Sequence, residues 1–179
     1  MSKPRILLIV SGSIAAFKAA ALASQLVQDG CDVQTVLTAG GRHFVGEATF
    51  EGLTGKPVLG DVWETGRAMD HISLVDDADL VLVYPASANT ITRLRAGMAD
   101  DLAGCLFLAN NFHKPWWIAP AMNSNMFAHP AVAEALEVLE DWGCRILDTG
   151  EGRMACGTTG PGRLLEPEDV AALIAEAFG

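Results

Sequence analysis

The sequence predicts one α/β domain built on an open, mainly parallel sheet with helices on both faces. Three observations carry this. Short apolar runs lack polar alternation, helix-period stretches separate them, and Gly, Ser or Pro turns follow the runs directly. Residues 5–10 (RILLIV) are the first such run, as expected of a strand covered on both faces. Residues 14–28 place apolar positions at helical spacing and stop at Asp29 and Gly30. DVQTVL at 32–37 reads as a second strand, 40–50 as a short helix and 57–59 as a minor extended piece. A helical turn is expected over 71–78, before LVLVY at 80–84, the clearest buried strand in the chain. Helices at 89–95 and 100–108, a strand at 116–119, a helix at 130–142, a strand at 144–147 and a closing helix at 168–178 complete the pattern. Right-handed crossovers put the loops after the strands on one edge, where such sheets bind ligands.

The 179 residues carry 12 Lys+Arg against 22 Asp+Glu, a net charge of −10. That balance excludes a protein whose main task is gripping nucleic acid, which requires clustered cations. Charged residues at 19% and apolar ones at 50% exclude disorder and a coiled coil. No apolar run is long enough to span a bilayer. The mean hydropathy of +0.28 implies that other subunits cover part of the apolar surface. The run at 5–10 is too short for a signal peptide, and a turn rather than a cleavage site follows it. Cys31, Cys105, Cys144 and Cys156 show neither a CxxC pair nor metal-ligand spacing. They are expected as free thiols of a reducing cytoplasm, the first three as small core residues, with no metal site.

Four segments could carry chemistry. Ser11, Gly12 and Ser13 sit at the first strand-to-helix junction, where free helix N–H groups suit one phosphate. The spacing is neither GxGxxG nor GxxxxGK[ST], which favours a mononucleotide over a dinucleotide or a nucleoside triphosphate. Ser13 would equally serve as a simple helix cap. Ser87, Asn89 and Thr90, after the strongest strand, offer uncharged donors and acceptors for a ring edge or ribityl chain, or a cap with a proline turn. Asn123 stands between Met122 and Met126, an amide able to meet a carboxylate beside an apolar wall, or to cap the next helix. Residues 150–163 hold five glycines, two arginines and a thiol, the composition of a binding loop. There Cys156 is chemically available. His71, after Asp70, has no spacing signature of its own, and His43, His113 and His129 are weaker candidates.

SGSIAAFKA, DHISL, PASANT, AGMADDL, PAMNSNM and ACGTTGPGR occur here in an order that resembles the homo-oligomeric flavin-containing cysteine decarboxylase family, from Arg5 to about Val170. The resemblance implies a Rossmann-like (flavodoxin-like) single domain over 1–179, with a Gly-rich substrate clamp at 148–165. It implies FMN held by Ser11, Gly12, Ser13, Phe17, Thr38, Ser87, Ala88 and Asn89. His71 would be the base, Asn123 would orient the substrate carboxylate, and Met126, Ala155, Cys156 and Arg163 would complete the substrate site. Cys156 would supply the last proton. The implied substrate is the small molecule 4′-phospho-N-pantothenoylcysteine, decarboxylated to 4′-phosphopantetheine in coenzyme A biosynthesis, and the implied assembly is a trimer or a dodecamer. The family's peptidyl-cysteine branch lacks the clamp cysteine, and its non-catalytic FMN-binding subunits lack the histidine. Both residues are present here. Thr158 stands where the family commonly has an acid.

Overall fold

The computed structural model describes residues 3–60, 62, 69–150 and 160–178. Five parallel strands, β1 (Arg5–Val10), β2 (Asp32–Leu37), β3 (Leu80–Ala86), β4 (Trp116–Pro120) and β5 (Arg145–Ile146), form one sheet in the order β2-β1-β3-β4-β5. The helices are α1 (Phe17–Gln28), α2 (Glu47–Thr54), α3 (Asp70–Asp77), α4 (Ala88–Arg95), α5 (Leu102–Asn110), α6 (Ser124–Phe127), α7 (Pro130–Asp141) and α8 (Pro167–Phe178). This is the flavodoxin-like, doubly wound arrangement that the sequence predicts.

Two cores explain why the strands show no alternation. Ile6, Leu8 and Val10 pack with Leu22, Leu26, Val170 and Ile174 of α1 and α8 on one face. Leu7, Ile9, Val81 and Val83 meet Leu94, Leu106, Leu136 and Leu139 of α4, α5 and α7 on the other. Both sets of strand side chains leave water, at about 2 kcal/mol for each large aliphatic group, so polar residues have no place between them.

Local chemistry sets the boundaries. The stretch 14–28 opens as a 3-10 turn, Ile14–Ala16, before α1 proper. The helix expected over 40–50 is instead a 3-10 turn, Gly41–His43, followed by α2, with Gly46 in extended backbone between them. Leu59 makes an isolated bridge to Val36 rather than a strand, and β5 is shorter than its sequence suggests. Helix α6 is absent from the sequence reading because four residues are too few to show a period. Gly104 is obligatory at the start of α5, since a Cβ there would fall 2.0 Å from the Met98 carbonyl oxygen.

Candidate active site

The sheet's topological switch lies between β1 and β3. Helix α1 follows β1 onto one face and α4 follows β3 onto the other, leaving a crevice at the strands' C-terminal ends. Ser11 ties its two walls together. The Ser11 Oγ donates to the Pro85 carbonyl at 2.7 Å and accepts the Ser87 N–H at 2.8 Å. With no accessible surface, Ser11 supports the residues that line the crevice from beneath. Ser13 caps the 3-10 turn by accepting the Ala15 N–H at 3.3 Å and donates to the Ala121 carbonyl at 3.3 Å, linking the first loop to the end of β4.

A third wall comes from the loop after β2. A Cβ on Gly12 would lie 3.0 Å from the Gly40 backbone, and one on Gly41 would lie 2.4 Å from the Val10 oxygen. Bare backbone therefore packs on bare backbone. The Thr38 hydroxyl donates to the Val10 carbonyl at 3.3 Å and accepts the Gly41 N–H at 3.1 Å, which spends it on the loop's own geometry. Across the crevice Ser87 caps α4 through the Thr90 N–H at 3.3 Å. Ala88 is half-buried behind it and Asn89 is exposed. Phe17 and Ile14 stand 64% and 61% exposed at the rim, an apolar shelf suited to a flat ring. Helix N–H groups, small polar side chains and this shelf fit a planar group that carries one phosphate.

Asn123 lies on the same edge, after β4. Its Oδ1 accepts the Met126 N–H at 2.8 Å and caps α6, which fixes the amide's orientation. The cap uses the oxygen alone, so the Nδ2 donors are not engaged in it. Met126 is 47% exposed beside it. The Gly-rich segment returns here: the Met122 N–H donates to the Gly162 carbonyl at 2.9 Å, and the Ser124 Oγ to the Pro161 carbonyl at 2.9 Å. Arg163 shares an antiparallel bridge with Gly150 and donates to Glu166 Oε1 at 2.6 Å. Ala155 and Cys156 lie outside the described residues.

His71 is placed apart. Helix α3 ends beside Arg5, whose backbone N–H donates to Asp79 Oδ2 at 2.9 Å, so its first turn, with His71, lies toward the crevice end of the sheet. There His71, Ile72, Ala99, Cys105, Leu108 and Ala109 line an open groove of ≈ 510 Å³. Neither Asn123 nor any crevice residue lines it.

Of the three described thiols only Cys144 is buried, and burial pushes it up to about 12. Cys31 and Cys105 are half-buried rather than core residues, and burial raises both. All three are poor thiolates. His129 is a helix cap, its Nδ1 accepting the Ala131 N–H at 3.2 Å. Among the described residues no cluster of His, Cys, Asp or Glu could hold a metal ion, and no helix is long and apolar enough to cross a membrane. Sequence reasoning missed Tyr84 as a site support. Its hydroxyl donates to the Leu165 carbonyl at 2.7 Å, and burial raises its pKa.

Comparison with known proteins extends this picture. The flavoprotein family model matches residues 1–179. The chain is 41% identical over 180 residues to the coenzyme A biosynthesis bifunctional protein CoaBC of Bacillus subtilis, covering 99% of this chain and 44% of that protein. For the protein of the same name from Mycolicibacterium smegmatis the identity is 38% over 172 residues, with 96% and 41% covered. The chain thus spans less than half the length of these relatives. A PPC decarboxylase mutant complexed with pantothenoylaminoethenethiol superposes with a TM-score of 0.90 at 30% identity, covering 99% of both chains. The FMN binding protein AtHal3 gives a TM-score of 0.87 at 30% identity, covering 99% of this chain and 97% of that one.

Proposed function

The chain belongs to the flavoprotein family, and on that premise we propose that it is an FMN-dependent decarboxylase of 4′-phospho-N-pantothenoylcysteine, yielding 4′-phosphopantetheine for coenzyme A biosynthesis. The observation that carries this reading is the bonded path Ser87–Ser11 and Ser13–Ala121. It ties Ala121, at the end of β4 and two residues before Asn123, to the edge of a crevice suited to a planar phosphate-bearing group, which supports this reading.

Bound FMN would supply a two-electron acceptor for the substrate's CH2–SH group. Ser13 and the N-terminal turn of α1 would hold its phosphate, Phe17 would flank its ring, and Ser87, Ala88 and Asn89 would line the opposite wall. Gly12 and Thr38 keep the loop walls in contact. Asn123 orients the substrate carboxylate through Nδ2. That carboxylate cannot leave as CO2 from the saturated thiol, because the electron pair left behind has no acceptor. A neighbouring C=S provides one. His71 takes the thiol proton as that bond forms. Met126 excludes water from the departing carboxylate. Residues 148–165 form the substrate clamp, in which Ala155 and Arg163 contact the substrate and Cys156 returns a proton to the enethiolate carbon. The overall change is redox neutral, because the two electrons taken from the CH2–SH carbon would be given back to it with that proton: one substrate gives one saturated aminothiol and one CO2.

A homo-oligomer, trimer or dodecamer, in the cytoplasm belongs to the same reading. Helix α5 (LAGCLFLAN) is apolar on every side, and Leu108, Ile72 and Met98 are 51%, 43% and 44% exposed. A second subunit seated there would bring its crevice to His71.

The test is a flavin absorption spectrum of the purified protein, followed by mass spectrometry after incubation with phosphopantothenoylcysteine. A product lighter by about 44 mass units, the loss of CO2 alone, is expected. A colourless protein that takes up no FMN, a product lighter by about 46 (CO2 plus two hydrogens), or turnover of a cysteine-ending peptide only, would overturn it.

A further inference from the structure

Arg163, proposed above to contact the substrate, is joined to Glu166 and Lys18, two residues with no role above. Both oxygens of Glu166 accept from Lys18 Nζ at 2.8 Å, and Oε1 also accepts from Arg163 Nη2 at 2.6 Å. The Lys18 side chain is only 15% exposed, well removed from solvent for an ammonium group. It sits on the first turn of α1, directly after Phe17. One carboxylate therefore joins the helix that opens the crevice to the return leg of the Gly-rich segment, 148 residues away in sequence.

The backbone of that return leg is fixed independently. Gly150 donates to the Arg163 carbonyl at 2.8 Å, and Met122 donates to the Gly162 carbonyl. Tyr84 holds the Leu165 carbonyl. Gly162, at φ 104°, comes so close to Met122 that a Cβ would lie 2.5 Å from its oxygen. These bonds place the Arg163 Cα beside the Asn123 edge. Glu166, three residues on, takes hold of the guanidinium. An isolated surface pair would contribute little. Here the carboxylate is itself oriented by a largely buried lysine, whose hydrogen bond also keeps it ionised by lowering its pKa.

We propose that Glu166 is a positioning residue: braced by Lys18, it aims the Arg163 guanidinium at the substrate site next to Asn123. The inference rests on the proposed decarboxylase reading for its substrate, but not for the contact itself.

Two measurements on the FMN-loaded protein test it. The first needs no substrate. By side-chain NMR, the Arg163 Nε–Hε proton should exchange with solvent severalfold faster in Glu166→Gln than in wild type. Equal rates would overturn the proposal. The second is steady-state kinetics with phosphopantothenoylcysteine. Glu166→Gln should raise KM about tenfold, as for one lost charge-assisted hydrogen bond, with kcat and flavin content kept. Because Glu166→Gln alone leaves a poorly solvated ammonium and could destabilise the fold, the double variant Lys18→Met/Glu166→Gln is decisive. It should recover thermal stability while keeping the raised KM. A KM that returns to the wild-type value would mean that Glu166 only neutralises Lys18. In an Arg163→Met background, Glu166→Gln should leave KM unchanged, and a multiplicative effect there would also sink the proposal. A wild-type protein that turns over no phosphopantothenoylcysteine refutes the function instead, and the Arg163 proton-exchange rate then decides the inference alone.

Discussion

The crevice between β1 and β3 and the groove around His71 are built on opposite plans. The crevice is made of backbone: Gly12 lies against Gly40, Gly41 under the Val10 carbonyl, and a fully buried Ser11 bolts the two strand ends together. The groove is made mostly of apolar side chains from α3 and α5, with Leu108 half exposed and His71 and the Cys105 thiol in its lining. One is a finished surface inside a single chain, and the other would become half of a surface in the proposed oligomer. Cofactor retention and proton transfer should therefore be separable by mutation.

His71→Asn puts that separation to its hardest test. Decarboxylation should fall by a factor of about 10²–10⁴, the scale of a lost general base, while flavin absorbance per mole stays at the wild-type value. Loss of flavin along with activity would merge the two regions. Leu108→Asp comes next, because it places a carboxylate on the outer face of α5. Light scattering should report a smaller particle and activity should drop with it, while circular dichroism stays native. An unchanged mass at full activity would show that the groove faces no other subunit. Gly41→Ala is the mildest and the converse. Its Cβ would meet the Val10 oxygen at 2.4 Å, costing about 1–3 kcal/mol of stability as overpacking does. Flavin content should fall, by absorbance after desalting, and the residual flavin-loaded fraction should turn over normally.

The strands and long helices were legible because burial on two faces writes itself into uninterrupted runs such as RILLIV and LVLVY. The chemistry-bearing loops were legible for a related reason, since parallel strands deliver their following loops to a single edge. What escaped was either too short or too distant. Helix α6 has four residues and no period. The break at Gly46 turns one expected helix into two pieces through a single extended residue. The Lys18–Glu166 contact joins positions whose neighbourhood exists only after the sheet has formed. Asn123 and Ser13 show a subtler limit. The sequence offers capping and ligand contact as rival roles, yet in Asn123 one oxygen caps while the nitrogen of the same amide remains available.

That shared use has a consequence for which residue can stand at position 123. Aspartate would cap α6 as well as asparagine does, and the helix would not register the exchange. Its second oxygen, however, would confront an incoming anion with like charge where the amide offers hydrogen. The cap alone suits either residue, so on the proposed reading the preference for nitrogen over oxygen at that single atom is set by the visitor rather than by the architecture.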